Sequence, residues 1–240
     1  MFRAEFKREL RETLVFYPDF ISSLVMMVIL LSVFMILGQH FTSSSYIGYA
    51  FWFLLSGVLT VASESISYEK QVGTFEQLIL KPISLIHILF IKSIVWGIFN
   101  FIRIMIATVI VCFFYQIHIN LSWVSLAALV INFFAIVGFS MIFSGLTLKF
   151  TKIASFVGII QYLLLFASGT LISLDKMPEV LVILTKVLPI NLGLKVSQNP
   201  FELTTFLLLI LQMIIYMILG TASFSYNYTR AKKNGINSRY

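Results

Sequence analysis

Apolar residues fill six long blocks of this chain, over roughly 20–38, 46–66, 85–115, 123–147, 153–173 and 202–223, with polar or turn-forming breaks such as His40 to Ser45 and His118 to Ser122 between them. A helix needs about 20 mostly apolar residues to cross a hydrocarbon core of about 30 Å, so the pattern predicts six transmembrane helices. Ahead of them, Phe2, Phe6, Leu10 and Leu14 recur every four residues among charged side chains. That is one apolar stripe on an otherwise charged helix, and residues 1–19 are expected to lie along the membrane surface. Pro18 and Asp19 mark the bend into span 1. Between spans 5 and 6, Asp175 can cap, Pro178 and Glu179 suit a first helical turn, and Val180, Leu181, Leu184 and Leu188 repeat at helical spacing until Pro189. A short, apolar-faced outer helix is expected there, and Asn199, Pro200 and Glu202 form a start for span 6.

Composition strengthens the membrane reading. Of the 240 residues 59% are hydrophobic and 11% charged, and the mean hydropathy is +0.97; soluble domains carry about 25% charged residues. No separate soluble domain fits, so residues 1–240 read as one all-α integral membrane domain: a surface helix (1–19), six spans (20–223) and a basic tail (224–240). The net charge of +7 is explained by topology rather than by nucleic acid. With the N-terminus inside, the inner segments hold twelve Lys and Arg residues and the outer segments three, which places both termini in the cytoplasm. Charges of both signs before span 1, with no small-residue cleavage site after it, predict that this span is retained. The single cysteine, Cys112, lies inside an apolar run and reads as packing.

The most informative segment is SESISYEKQVGTFEQLILKP, residues 63–82, which is charged at its start and semi-apolar through Phe75, Leu78, Ile79 and Leu80. Gly73 permits a sharp break after span 2, Thr74 can cap a new helix, and Pro82 restricts the chain before span 3. A short helix across the membrane axis is expected. Phe75, Leu78 and Ile79 share one of its faces, which could fill a groove on a partner, while Glu69, Lys70 and Glu76 could form ion pairs at the rim.

The string E-K-x-x-G-T-F-E-Q-L-x-x-x-P resembles a signature of the type-2 permeases of ATP-binding-cassette exporters. The surface helix, the six spans, S-G-T-L-I-S-L-D-K-M-P-E at 168–179 and Leu-Pro at 188–189 extend the likeness over nearly the whole chain. The resemblance implies that the loop after span 2 is a coupling helix docking on a cytoplasmic ATPase. Glu69, Lys70, Gly73, Thr74, Phe75, Glu76, Leu78 and Pro82 would then transmit ATPase motion, while Gly169, Pro178 and Pro189 would shape an outer gate. It further implies a pair of permease subunits, a homodimer in a bacterial cell membrane, surrounded by lipid. No cofactor would sit on this chain; ATP and Mg²⁺ would be held by the partner. The cargo would be amphipathic: a drug-like molecule, a peptide antibiotic, a lipid or a glycan.

The residues themselves exclude several chemistries. Phosphate cradling needs G-x-x-x-x-G-K-[ST], and no such string occurs, so the chain is not expected to be an enzyme. His40, His87 and His118 lack metal-ligand spacing, and no metal site is expected. In span 3, eleven residues at 100° bring Arg103 back to within about 20° of Lys92, so the two share a face. Lys92 reads as a snorkelling cation. A central Arg103 costs about 2.5–3.5 kcal/mol on insertion, so with Asn100 it should face a substrate path or subunit contact, or pair structurally, for example with Glu64. A membrane immunity or scaffold protein that binds a peptide or lipid without transport is the alternative function. A secondary transporter ranks third, because Glu64 is the only acidic residue near membrane depth in spans 2 to 5.

Overall fold

The computed structural model describes residues 1–37, 43–80, 82–116, 122–150, 153–167, 183, 188–198 and 202–234. The described residues are all-α, 91% helical, with no strand. In chain order the helices are α1 (Phe2–Val15), α2 (Tyr17–Leu37), α3 (Ser43–Val72), α4 (Phe75–Ile79), α5 (Leu85–Tyr115), α6 (Trp123–Lys149), α7 (Ala154–Ala167), α8 (Asn191–Gln198) and α9 (Leu203–Asn234).

Among the described residues four helices are long and apolar enough to cross a membrane: Tyr46–Val72, Leu85–Tyr115, Trp123–Lys149 and Leu203–Lys233. A fifth is added if α1 and α2, which meet at a bend of 84°, are taken as one broken span. The expected count of six is not reached over the described residues. Of the block expected at 153–173, Ala154–Ala167 form α7, and 168–173 lie outside the described residues.

Local chemistry accounts for most helix ends. Pro18 and Asp19 fall in the first turn of α2, where a missing N–H costs nothing and a negative charge suits the helix dipole. The Ser122 side chain accepts from Ser125 N at 3.0 Å and starts α6. Helix α3 runs past the expected end at 66 to Val72, and α9 runs past 223 to Asn234, carrying the first part of the basic tail as helix.

Burial orders the bundle. The most apolar stretch of α3 is 72% buried, that of α6 56%, that of α5 33% and that of α9 only 17%, so α3 lies at the centre and α9 at the edge. Polar ties at depth fix α3 to its neighbours: Tyr49 OH donates to the Met27 carbonyl, Trp52 Nε1 to the Gln161 carbonyl, and Gln161 Nε2 back to the Ser56 carbonyl, all within 2.8–2.9 Å. Tyr46 and Thr108 share a hydroxyl hydrogen bond.

Helix α6 packs along α9 by backbone contact. A Cβ on Gly220 would stand 1.9 Å from the Gly138 carbonyl oxygen, and one on Gly138 would stand 2.6 Å from the Met217 nitrogen and from the Tyr216 carbonyl group. Small residues let helices approach this closely where lipid supplies no hydrophobic drive between them.

Candidate functional site

The segment from Glu69 to Pro82 is built around Gly73, whose φ of +79° is left-handed. Gly73 N donates to Lys70 O at 3.3 Å and Thr74 N to Glu69 O at 3.0 Å, the paired bonds that close a helix at a glycine. α4 follows at once. The Thr74 hydroxyl does not cap it; it turns back to donate to Glu69 Oε2 at 2.5 Å. The other Glu69 oxygen lies 3.8 Å from Lys92 Nζ, and Lys92 also donates to Ser65 Oγ at 2.7 Å. Lys92 is therefore held by α3 as well as by its own helix.

Two sequence expectations change here. Phe75 and Leu78, expected to project toward a partner, are 2% and 4% exposed and belong to the chain's own core. The residues left outward are Glu76, Gln77 and Leu80, the last 83% exposed, with Pro82 also at the surface. A five-residue helix is too short to stand alone, so its apolar face must be spent on anchoring. Lys70 is not at a rim. It is 5% exposed, and its ammonium donates to the Thr147 and Leu148 carbonyls at 3.1 and 2.6 Å and lies 5.9 Å from the Phe75 ring centroid.

Beside this turn, a cavity of about 410 Å³ opens between α1, α3 and α5. Five carboxylates, Glu5, Glu9, Glu12, Glu64 and Glu69, line it together with Arg8 and Lys92, and Val61, Val95 and Trp96 supply the apolar part of its wall. Trp96 fits because Gly57 leaves room: a Cβ there would stand 2.2 Å from the indole ring. Arg8 bridges Glu5 at 2.9 Å and Glu12 at 3.5 Å along α1. Burial, reinforced by the Glu12 charge, pushes the Glu9 carboxyl above its usual range, against the pull of Arg8 and Arg103.

Arg103 forms no ion pair with Glu64 among the described residues. Its guanidinium stacks 5.1 Å from the Phe20 ring centroid, its Nη1 donates to Asn100 Oδ1 at 3.3 Å, and its nearest acidic influence is Glu9 of α1. Glu64 instead lines the cavity. Asn100, 1% exposed, donates to the Trp96 carbonyl at 3.2 Å. Phe6 packs 5.3 Å from Phe99, so the stripe on α1 is held by α5 at that point, while Leu10 and Leu14 remain exposed.

Gly169 and Pro178, and the helix expected after Asp175, lie outside the described residues, as do His40 and His118. Pro189 is buried just ahead of α8. His87 Nδ1 shares a hydrogen bond with Ser84 Oγ at 2.5 Å, and no metal-holding cluster occurs among the described residues.

A family model described as ABC-2 type transporter matches residues 1–201. The chain belongs to that family. A search of curated proteins returns no match. Membership makes this ABC-2 chain the membrane-spanning part of a transporter rather than its ATPase, and implies a partner ATPase subunit.

Two features of this ABC-2 chain escaped the sequence. One is α8, where Leu194 and Val196 are at most 5% exposed, like Ile190 just ahead of it, and Gly193 sits against Phe51 and Asn132. Pro189 just ahead of Asn191 signals a helix start, but Gly193 weakens the pattern. The other is the Lys70 contact with α6, since the α6 carbonyls that receive it carry no sequence mark.

Proposed function

We propose that this ABC-2 chain is the permease subunit of an ATP-driven exporter, with six spans and both termini in the cytoplasm of a bacterial cell. It works as a homodimer with two copies of a cytoplasmic ATPase, which hold the ATP and Mg²⁺. The cargo is amphipathic, such as a drug, peptide, lipid or glycan. The observation that supports this reading is the construction of α4. Phe75 and Leu78 anchor it, Gly73 and the Glu69–Thr74 bond fix its angle, and Glu76, Gln77 and Leu80 face outward. A short helix fixed on one side and bare on the other receives force without bending. ATP-driven closure of the ATPases pushes α4, rearranges the spans and opens an outward path.

The test is a full-length, affinity-tagged chain carrying Leu80→Asp and Glu76→Arg. Both side chains are exposed, so the variant should insert and melt like the wild type. Recovery of the ATPase with the tagged chain should fall by about tenfold or more, the scale of losing an interface anchor. Undiminished recovery would sink the docking assignment. Deleting the whole of α4 is a poorer test, because it removes Phe75 and Leu78 from the core.

A further inference from the structure

We propose that Lys70 is a mechanical joint tying the α3–α4 turn to α6, so that displacement of α4 is delivered along α6 to α8; the proposal rests on the coupling reading of α4. Covalently, α4 touches only α3 and α5. Lys70 adds a third connection, to a helix far from it in sequence. The last carbonyls of a helix have no intrahelical partner and carry the negative end of its dipole. Among the described residues the last backbone bond of α6 runs from Phe150 N to Leu146 O, and the Lys70 ammonium donates to the next two carbonyls, Thr147 O and Leu148 O. No carboxylate forms an ion pair with Lys70 among the described residues. A buried ammonium held by two carbonyls and a ring cannot leave them without losing its only compensation. The α6 end must follow the turn.

The far end of the rod is less secure. Asn132 lies sixteen residues before Leu148, about 24 Å away at 1.5 Å per residue. There a Cβ on Gly193 of α8 would stand 2.9 Å from Asn132 Nδ2 and 2.7 Å from the Phe51 ring. Asn132 is 0% exposed, and among the described residues neither atom of its amide has a hydrogen-bond partner. An uncompensated amide makes this contact costly to hold closed, so a shift of α6 that opened it would be opposed less than elsewhere. A firm grip at Lys70 and a reluctant contact at α8 let one input move the opposite end.

The experiment labels Trp123→Cys at the start of α6 and Lys195→Cys on α8 with spin labels, in a Cys112→Ala background. The full-length chain is complexed with the ATPase that co-purifies with it. Distances are read with and without ATP and vanadate. A nucleotide-dependent shift is expected in the parent. Lys70→Met should bind and hydrolyse ATP through the partner as before but lose the shift, and Lys70→Arg should restore it. Lys70→Gln, which keeps an N–H donor without the charge, supplies the decisive measurement if Lys70→Met does not insert. A shift of parental size in the uncharged variant would overturn the joint, as would a parent that does not move or loss of the ATPase from the variant. A parent that recovers no ATPase would overturn the proposed function instead.

Discussion

The seam between α6 and α9 and the cleft between α1, α3 and α5 are held by opposite means. In the seam, backbone meets backbone at Gly138 and Gly220. No side chain there can give way, so the two helices move as one body or not at all. In the cleft, charged side chains stand around a cavity of about 410 Å³; Lys92 pairs with Glu69 between α5 and α3, while Arg8 pairs with its two glutamates along α1. Partly exposed ion pairs are worth little each, about 0–1 kcal/mol, and can be exchanged for water. The protein therefore keeps one boundary fixed and leaves another adjustable, and the adjustable one adjoins the α3–α4 turn.

The comparison breaks first at Gly220. Gly220→Val should be severe, at or beyond the upper end of the about 1–3 kcal/mol typical of overpacking, because the obstacle is a carbonyl oxygen rather than a flexible side chain. Loss of monodisperse protein in detergent, or a large drop in melting temperature, is the expected result; an unchanged melt would mean the helices are not in backbone contact. Phe20→Ala removes the ring beneath Arg103 and should cost less, about 0.5–2 kcal/mol. It should quicken protease cleavage near the α1–α2 bend while leaving exchange in α9 unaltered. Equal loosening of both regions would show that they are not independent.

The smallest effect concerns Glu9. Burial raises its pKa from 4.5, so the folded state favours the neutral acid. That preference supports α1 fully below the ordinary value and is lost as pH rises through the raised one. Amide exchange in α1 should slow on acidification across this window, and Glu9→Gln should remove the dependence. A pH response that survives in Glu9→Gln would assign it to another carboxylate of the cleft.

What could be read from sequence was whatever local chemistry decides. The block 85–115 became α5 with the same bounds, and 123–147 gained two residues as α6, because long apolar runs here end at Ser84, Gln116 and Ser122. Gly73 was legible as a break because few other residues adopt its torsion. The direction of Phe75 was not, since a face shared by three apolar residues fits a partner's groove and the chain's own core equally well. Arg103 shows the same boundary. Helical spacing put it on one face with Lys92, yet it could not say that Phe20 would stack on Arg103 and Glu9 act on it while Glu69 met Lys92. Angular position comes from one helix; the partner comes from how helices are arranged in space.

Gly73 stands in open space, with nothing within 4 Å of where a Cβ would be. The position makes no demand on volume, polarity or charge; it asks only for handedness. An L-alanine there pays about 1–2 kcal/mol for its left-handed torsion, whereas a D-alanine installed by semisynthesis adopts the same angles without strain and narrows the unfolded ensemble as well. The corner on which α4 turns is thus specified by a mirror-image preference.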